Sequence, residues 1–217
     1  MSSVLSSEST TVSHALITHW HHDHVGGIKD LLSLCPDAKV YKHNPAPGQT
    51  TLEDGQIYKT EGASLRAFHC PGHTTDHMAF ILEEEDAMLT GDNVLGHGTA
   101  VFEDLATYLD SLARMGNQFS GRAYPGHGAA IEDGKGRIDE YVEHRKQREG
   151  EILQALREVK GDATPLELVK VVYKDVPENL HEPAAKGAVQ VLRKLEGEGK
   201  VAQSGPEKWR MSGEATL

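Results

Sequence analysis

The segment THWHHDHVGG, residues 18–27, crowds His19, His21, His22, Asp23 and His24 together just ahead of two glycines. Imidazoles this close repel one another when protonated and lose hydration when buried, so a bound cation explains the cluster better than core packing does. Three more donors recur in one context: His73 after CPG, Asp92 after LTG and His127 after YPG, each behind a strand-like run and a tight glycine turn. Strands that end together at one sheet edge would bring all of these side chains to one place. His19 and His21 alternate in an extended segment and so share a direction, while Asp23 and His24 fall at the turn into the next helix. The set offers imidazole nitrogens and carboxylate oxygens with no thiolate, which suits zinc and tolerates Mn2+ or Fe.

Two ions account for the number of donors better than one. His19, His21 and His73 make one site with an open corner, Asp23, His24 and His127 make a second, and Asp92 can bridge both. Paired ions of this kind typically sit ~3.5–4 Å apart and activate water near neutral pH. The other histidines carry weaker expectations. His14, His43, His144 and His181 read as surface or hydrogen-bonded residues, and His69 and Cys70 as strand residues. His22 and Trp20 fall on the opposite phase of the extended segment, which predicts packing or support of a ligand. His77 reads equally as a support for a ligand or as core.

These donors need elements to position them. VSHALIT reads as a strand entering the cluster, and GGIKDLLSL as a helix that Pro36 stops. AKVYKH and SLRAFHC read as strands separated by the loop NPAPGQTTLEDGQ. MAFILEEEDAMLTGD reads as a hairpin with an acidic turn. TAVFEDLATYLDSLARM is an amphipathic helix with Phe102, Leu105, Leu109 and Leu112 on its apolar face, and GRAYPGHG is a further strand. From about residue 134 the texture changes to a long charged helix, RIDEYVEHRKQREGEILQALREV, two shorter helices and a terminal β-wing, KVAQSGPEKWRM. The expected organisation is a disordered start over 1–11, a metal-bearing domain over 12–134, and a long helix plus a winged-helix-like module over 135–217.

The totals restrict the function classes. The 217 residues carry a net charge of −11, which disfavours broad electrostatic binding to nucleic acid. Two cysteines, Cys35 and Cys70, give no disulfide framework and point to a reducing, cytoplasmic setting. No stretch is apolar enough to span a membrane, and MSSVLSSEST lacks the features of a signal or transit peptide.

The order His19-Trp20-His21-His22-Asp23-His24, then His73, Asp92 and His127, resembles the HxHxDH signature and following ligands of the metallo-β-lactamase-fold hydrolases. The resemblance covers about residues 12–130. It implies an αββα sandwich, two zinc ions and hydrolysis by metal-activated water, with Asp23 orienting that water or accepting its proton as well as binding metal. In that family several strands precede the signature, whereas 18 residues do here, so the chain resembles a member lacking N-terminal strands and is expected to expose apolar sheet surface and a free edge.

Two subgroups are similar. TGDNVLGHGTAVFEDLATYLDSL, GRAYPGHG and the C-terminal helices resemble the β-lactamase-like protein 2 group, which includes endoribonucleases with a winged-helix-like tail. THWHHDHVGGIKDLL, PGHTTDHMAF and EEEDAMLTGDNVLGHGTAVFEDL resemble more closely the fungal lactamase-like thioesterases, with Asn93 and His97 of GDNVLGHG part of that likeness and candidate supports for the ligands. This implies release of a polyketide from the acyl carrier protein of a non-reducing polyketide synthase. The endoribonuclease alternative predicts a basic track, for which Lys135, Arg137, Arg145, Lys146 and Arg148 are the candidates. A third alternative is an inactive metal-binding remnant.

Overall fold

The computed structural model describes residues 2–213. They divide into two compact units, one of residues 2–103 with 107–139, the other of 104–106 with 140–213. The first contains α1 (Ser2–Ser7), β1 (His14–Leu16), α2 (His22–Val25), α3 (Ile28–Leu34), β2 (Lys39–Lys42), β3 (Thr50–Thr51), β4 (Ile57–Thr60), β5 (Ala63–His69), β6 (Met78–Leu82), β7 (Ala87–Gly91), most of α4 (Leu105–Met115) and β8 (Ala123–Pro125). Helix α5 (Gly134–Val159) runs from this unit into the second, which holds α6 (Pro165–Val172), α7 (His181–Gly197), β9 (Val201–Gly205) and β10 (Lys208–Met211).

Strands β1, β2 and β3 form a parallel sheet, and β4 to β8 form a five-stranded sheet in chain order. Between the sheets Tyr41 and Leu52 meet Ala67, Met78 and Phe80, so the inward faces of both bury a common core. Leu31, Cys35 and Ala38 on and after α3 pack with Val12 and Ala15 on the outside of the first sheet. On the other side, Tyr108, Leu112 and Met115 of α4 are fully buried, and Arg114 lies over the Phe68 ring at 4.9 Å. The layers are helix, sheet, sheet, helix, as an αββα sandwich requires.

This topology sets the site. Strands β5, β6 and β7 alternate in direction and β8 runs parallel to β7, so β5, β7 and β8 all end at one edge of the sheet. The turns after them carry His73, Asp92 and His127. The end of β1 is tied to the same edge by Met78, whose N–H donates to the Thr18 carbonyl at 2.8 Å.

Some expectations need correction. Disorder over 1–11 is replaced in part by helix α1, whose Leu5 packs with the α3 cluster. The loop over 44–56 includes strand β3, and the acidic turn is a 3-10 helix over Glu83–Glu85. The amphipathic helix begins at Leu105 rather than near residue 99. The chain before it is committed elsewhere: Val101 gives its carbonyl to His73, and Glu103 donates its N–H to the Gly72 carbonyl at 2.7 Å. Phe102 therefore lies outside the helix, stacked on Tyr108 at 5.4 Å. A cleft of about 690 Å³ is lined by Leu16, Tyr41, Tyr58, Leu65, Phe80 and Leu89 together with polar residues such as His14, Gln56 and Lys59, and none of the seven candidate ligands lines it.

In the second unit, Thr164 and Glu167 form a reciprocal cap on α6, with Pro165 at its first position. Leu168 and Val169 of α6 and Val191, Leu192 and Leu195 of α7 are buried, and the β9–β10 hairpin buries Trp209. Backbone bonds between Ala163 and Trp209 attach the hairpin ahead of α6, giving the helices and wing of a winged-helix module. No helix among the described residues is long and apolar enough to cross a membrane.

Candidate metal centre

All seven candidate ligands converge. His19, His21, His73 and Asp92 place one donor atom each within 4.8 Å of one another, and Asp23, His24 and His127 do the same. Asp92 faces both groups. Its Oδ2 stands 3.8 Å from His19 Nε2, 3.7 Å from His73 Nε2 and 3.5 Å from His127 Nε2, while Oδ1 stands 3.4 Å from His24 Nε2. Asp23 Oδ2 lies 3.0 Å from His127 Nε2. His19, His73 and Asp92 are buried, whereas 57% of the Asp23 side chain and 46% of the His127 side chain are exposed. The cluster is closed toward the sheets and open on the Asp23–His127 side.

Two glycines let the turns come this close. Gly91 has φ +52°, and a Cβ there would lie 2.6 Å from His77 Nε2; a Cβ on Gly126 would lie 2.4 Å from Asp92 Oδ1. The Gly126 N–H donates to the Gly91 carbonyl at 2.8 Å, joining the turns that carry Asp92 and His127.

The donor set fits a cation. His73 Nδ1 donates to the Val101 carbonyl at 2.8 Å, which leaves Nε2 as a bare lone pair facing His21 Nδ1 at 3.0 Å. His19 Nε2 faces the same His21 nitrogen at 3.0 Å. Asp92 Oδ1 is buried without a hydrogen bond of normal geometry. Converging lone pairs around an ionised, unsatisfied carboxylate call for positive charge at their centre. The electrostatics agree. Burial, with repulsion from His24 and His73, pushes His19 down to about 3, and burial lowers His73 despite its carbonyl partner, so both rings are neutral donors at pH 7. Burial works to raise Asp92, but the facing His24, His127 and His19 imidazoles outweigh it and hold the carboxyl at about 2.

The surrounding residues have defined places. His77 is fully buried, accepts the Asp92 N–H on Nε2 at 3.0 Å, and has Nδ1 3.3 Å from Cys70 Sγ. Asn93 is buried and its side-chain amide donates to the Cys70 carbonyl at 2.7 Å, while its backbone carbonyl accepts the Tyr108 hydroxyl at 2.6 Å. His97 is exposed, and its Nδ1 lies 2.7 Å from where a Cβ on Gly128 would fall. His22 is exposed and belongs to neither donor group among the described residues. Trp20 is not packed away but half exposed, its indole edge to face with His21 at 4.5 Å. His181 fits the expectation of a hydrogen-bonded residue, with Nε2 near the Tyr173 and Val176 carbonyls.

Two contributors escape the sequence reading. Thr18 Oγ1 lies 3.0 Å from His19 Nδ1 and 3.2 Å from His24 Nδ1. With both Nε2 atoms toward the centre, one hydroxyl oxygen accepts from both rings and fixes the tautomer of one candidate ligand in each group. Its position directly before the signature is the signal that could have found it. Lys42 and Asp76 form a buried ion pair behind the His73 loop, completed by Thr74 Oγ1 donating to Asp76 Oδ1 at 2.8 Å and Lys42 Nζ donating to the Asn44 carbonyl at 3.0 Å.

Residues 44–127 match the family model of the metallo-beta-lactamase superfamily, and residues 164–209 match the beta-lactamase associated winged helix domain. An atrochrysone carboxyl ACP thioesterase of Cryptosporiopsis sp. is 43% identical over 99% of this chain and 73% of its own length. The chain belongs to the metallo-beta-lactamase superfamily. A lactamase-like protein of Pestalotiopsis fici is 43% identical over 96% of this chain and 71% of its own length, and an atrochrysone carboxyl ACP thioesterase of Aspergillus chevalieri is 46% identical over 92% and 68%. Among solved structures, a metallo-beta-lactamase family protein of Thermus thermophilus superposes with a TM-score of 0.76 at 24% identity, over 96% of this chain and 83% of that one, which speaks for the fold. TTHA1623, solved in a di-iron-bound form, has a TM-score of 0.51 at 26% identity, over 61% of this chain and 78% of that one. Membership makes this protein a metal-dependent hydrolase with a divalent-metal centre.

Proposed function

We propose that the protein hydrolyses the thioester joining a polyketide to an acyl carrier protein, releasing the product of a non-reducing polyketide synthase, with two zinc ions held by His19, His21 and His73, by Asp23, His24 and His127, and by Asp92 between them. The observation that carries this reading is identity of 43–46% over nearly the whole chain to fungal proteins named as acyl-carrier thioesterases, combined with an intact seven-donor set. The donor types favour zinc, and the di-iron form of TTHA1623 makes iron the second metal to try.

Bound ions would supply Lewis acidity toward the acyl oxygen and an activated water near neutral pH. The chain's own residues set the rest. Asp23 sits at the open mouth with its carboxyl held below its ordinary range; desolvation opposes this, and its own backbone N–H with the His24 and His127 imidazoles prevails. An ionised carboxylate there can take up a proton and pass it to solvent. Asp92 stays ionised and is held at its backbone by His77, so its two oxygens keep their assignments to the two groups. A thiolate leaves without protonation, so the absence of a strong acid from the seven-donor set is no obstacle.

Three of the five residues of the basic track that the ribonuclease reading needs, Lys135, Arg137 and Arg148, are engaged within the chain. Arg137 donates to the Gly98 carbonyl at 3.0 Å, Lys135 pairs with Asp139 at 3.3 Å, and Arg148 pairs with Glu151 at 2.5 Å and lies over the Tyr173 ring.

Zinc-reconstituted protein given an acyl-loaded carrier protein is expected to release free acid in a chelator-sensitive reaction, and Asp23→Asn is expected to slow it by roughly 10²-fold or more. Mass spectrometry of the carrier reads both results. A thioester left intact by the metal-loaded protein, or chelator-sensitive cutting of unstructured RNA in its place, would overturn the assignment.

A further inference from the structure

We infer that His77 is a positioning residue of the metal centre: its buried ring sets where Asp92 stands, and the Cys70 thiol keeps that ring in the one tautomer able to do so; this rests on Asp92 as the bridge between the ions, not on the thioester chemistry. His77 meets three of the four segments that carry candidate ligands. Its Nε2 accepts the Asp92 N–H at 3.0 Å, and its ring lies 5.2 Å from the His19 ring and 5.9 Å from the His73 ring. Its carbonyl accepts the Cys70 N–H at 3.0 Å, closing the loop that bears His73, and the next residue, Met78, donates to the Thr18 carbonyl just ahead of His19. Gly91, with no side chain, leaves the ring room to reach the Asp92 amide.

The hydrogen bonds fix the proton. A ring nitrogen that accepts an N–H carries no hydrogen, so the single proton of this neutral imidazole stands on Nδ1. Facing Nδ1 at 3.3 Å is Cys70 Sγ, a weak acceptor that is itself fully buried. In the opposite tautomer an Nε2–H would oppose the Asp92 N–H, and two buried donors would be left without acceptors. An acceptor at residue 70 therefore favours the tautomer that anchors Asp92. The anchored amide belongs to the residue whose two carboxylate oxygens face the two groups, so the ring bears directly on the bridge. The Asn93 side chain ties the same turn to the Cys70 carbonyl at 2.7 Å, which keeps the turn folded when the ring is changed and leaves the carboxylate as the part that shifts.

The test measures zinc affinity on the full chain, by competition with a chromophoric chelator, in two pairs of variants. His77→Leu is expected to loosen zinc roughly 10-fold to 100-fold, the usual effect of losing a partner that orients a ligand, while His77→Gln, whose side-chain oxygen can accept the Asp92 N–H, recovers most of that loss. Cys70→Val fills similar space without an acceptor and is expected to loosen zinc about 10-fold, whereas Cys70→Ser keeps an acceptor and stays within about threefold of the wild type. Packing alone would give the reverse order at residue 70, because valine suits a sealed position better than serine does. Imidazole nitrogen chemical shifts of the metal-free wild type read the tautomer with no substitution at all, and are expected to show His77 protonated on Nδ1. If His77→Leu does not fold, the Cys70 pair and these shifts decide. Zinc affinity unmoved by His77→Leu and Cys70→Val, serine worse than valine, glutamine no better than leucine, or His77 protonated on Nε2 would each overturn the inference. A wild type that binds no zinc would overturn it together with the metal centre, whereas one that binds two ions in this pattern and leaves thioesters intact would overturn the thioesterase reading alone.

Discussion

Replacing Asp92 with alanine is expected to strip both ions together and to lower hydrolysis by roughly 10³-fold, the scale on which removal of one preorganised electrostatic element is felt. The reason is positional. Asp92 is the one member of the set whose two oxygens face both groups, Oδ1 toward His24 and Oδ2 toward His19, His73 and His127. Without it the first group keeps only imidazoles, the second keeps Asp23 as its one carboxylate, and nothing joins the two. His127→Ala should behave differently, losing mainly the ion of the second group, because His19, His21, His73 and Asp92 remain whole. Elemental analysis of dialysed protein separates the cases. Full and equal occupancy in both variants would refute the bridging role of Asp92.

The second large effect concerns stability. Asp76→Ala leaves the Lys42 ammonium buried behind the His73 loop with only the Asn44 carbonyl beside it, and is expected to cost roughly 3–5 kcal/mol in urea denaturation. The double variant Lys42→Met/Asp76→Leu should recover most of that loss, since a well-packed apolar pair avoids the desolvation of both charges. Burial works to raise the Asp76 carboxyl, yet Lys42 and Thr74 hold it below its ordinary value. A depressed folded value means that the pair's contribution is complete at neutral pH and is lost as acid is added below about pH 4, where the unfolded aspartate takes up protons. A loss under about 1 kcal/mol for Asp76→Ala, on the scale of an exposed pair, would show that the pair is not sealed from water.

The seven candidate donors were legible because their chemistry is specific and their setting repeats. A donor behind a strand and a glycine turn can be read locally, and the sheet then gathers three such turns at one edge. The core faces of α4 were legible for the same local reason: Leu105 and Leu112 fall at helical spacing and are buried. What escaped depends on partners distant in sequence. Lys42 and Asp76 are residue types usually found in water, and only the folded chain shows that each is buried against the other. The helix could not be seen to start at Leu105, because the obligations of Val101 and Glu103 lie in the turn around His73. Trp20 was expected to pack or to support a ligand; it lies between the end of β1 at Leu16 and the start of α2 at His22, half exposed, with its ring against that of His21.

Anomalous diffraction from crystals of zinc-reconstituted protein, measured on both sides of the zinc edge, tests the central claim most directly. Two peaks ~3.5–4 Å apart are predicted, one among His19, His21 and His73, the other among Asp23, His24 and His127, with Asp92 between them. A single peak, or zinc bound away from Asp92, would contradict the account.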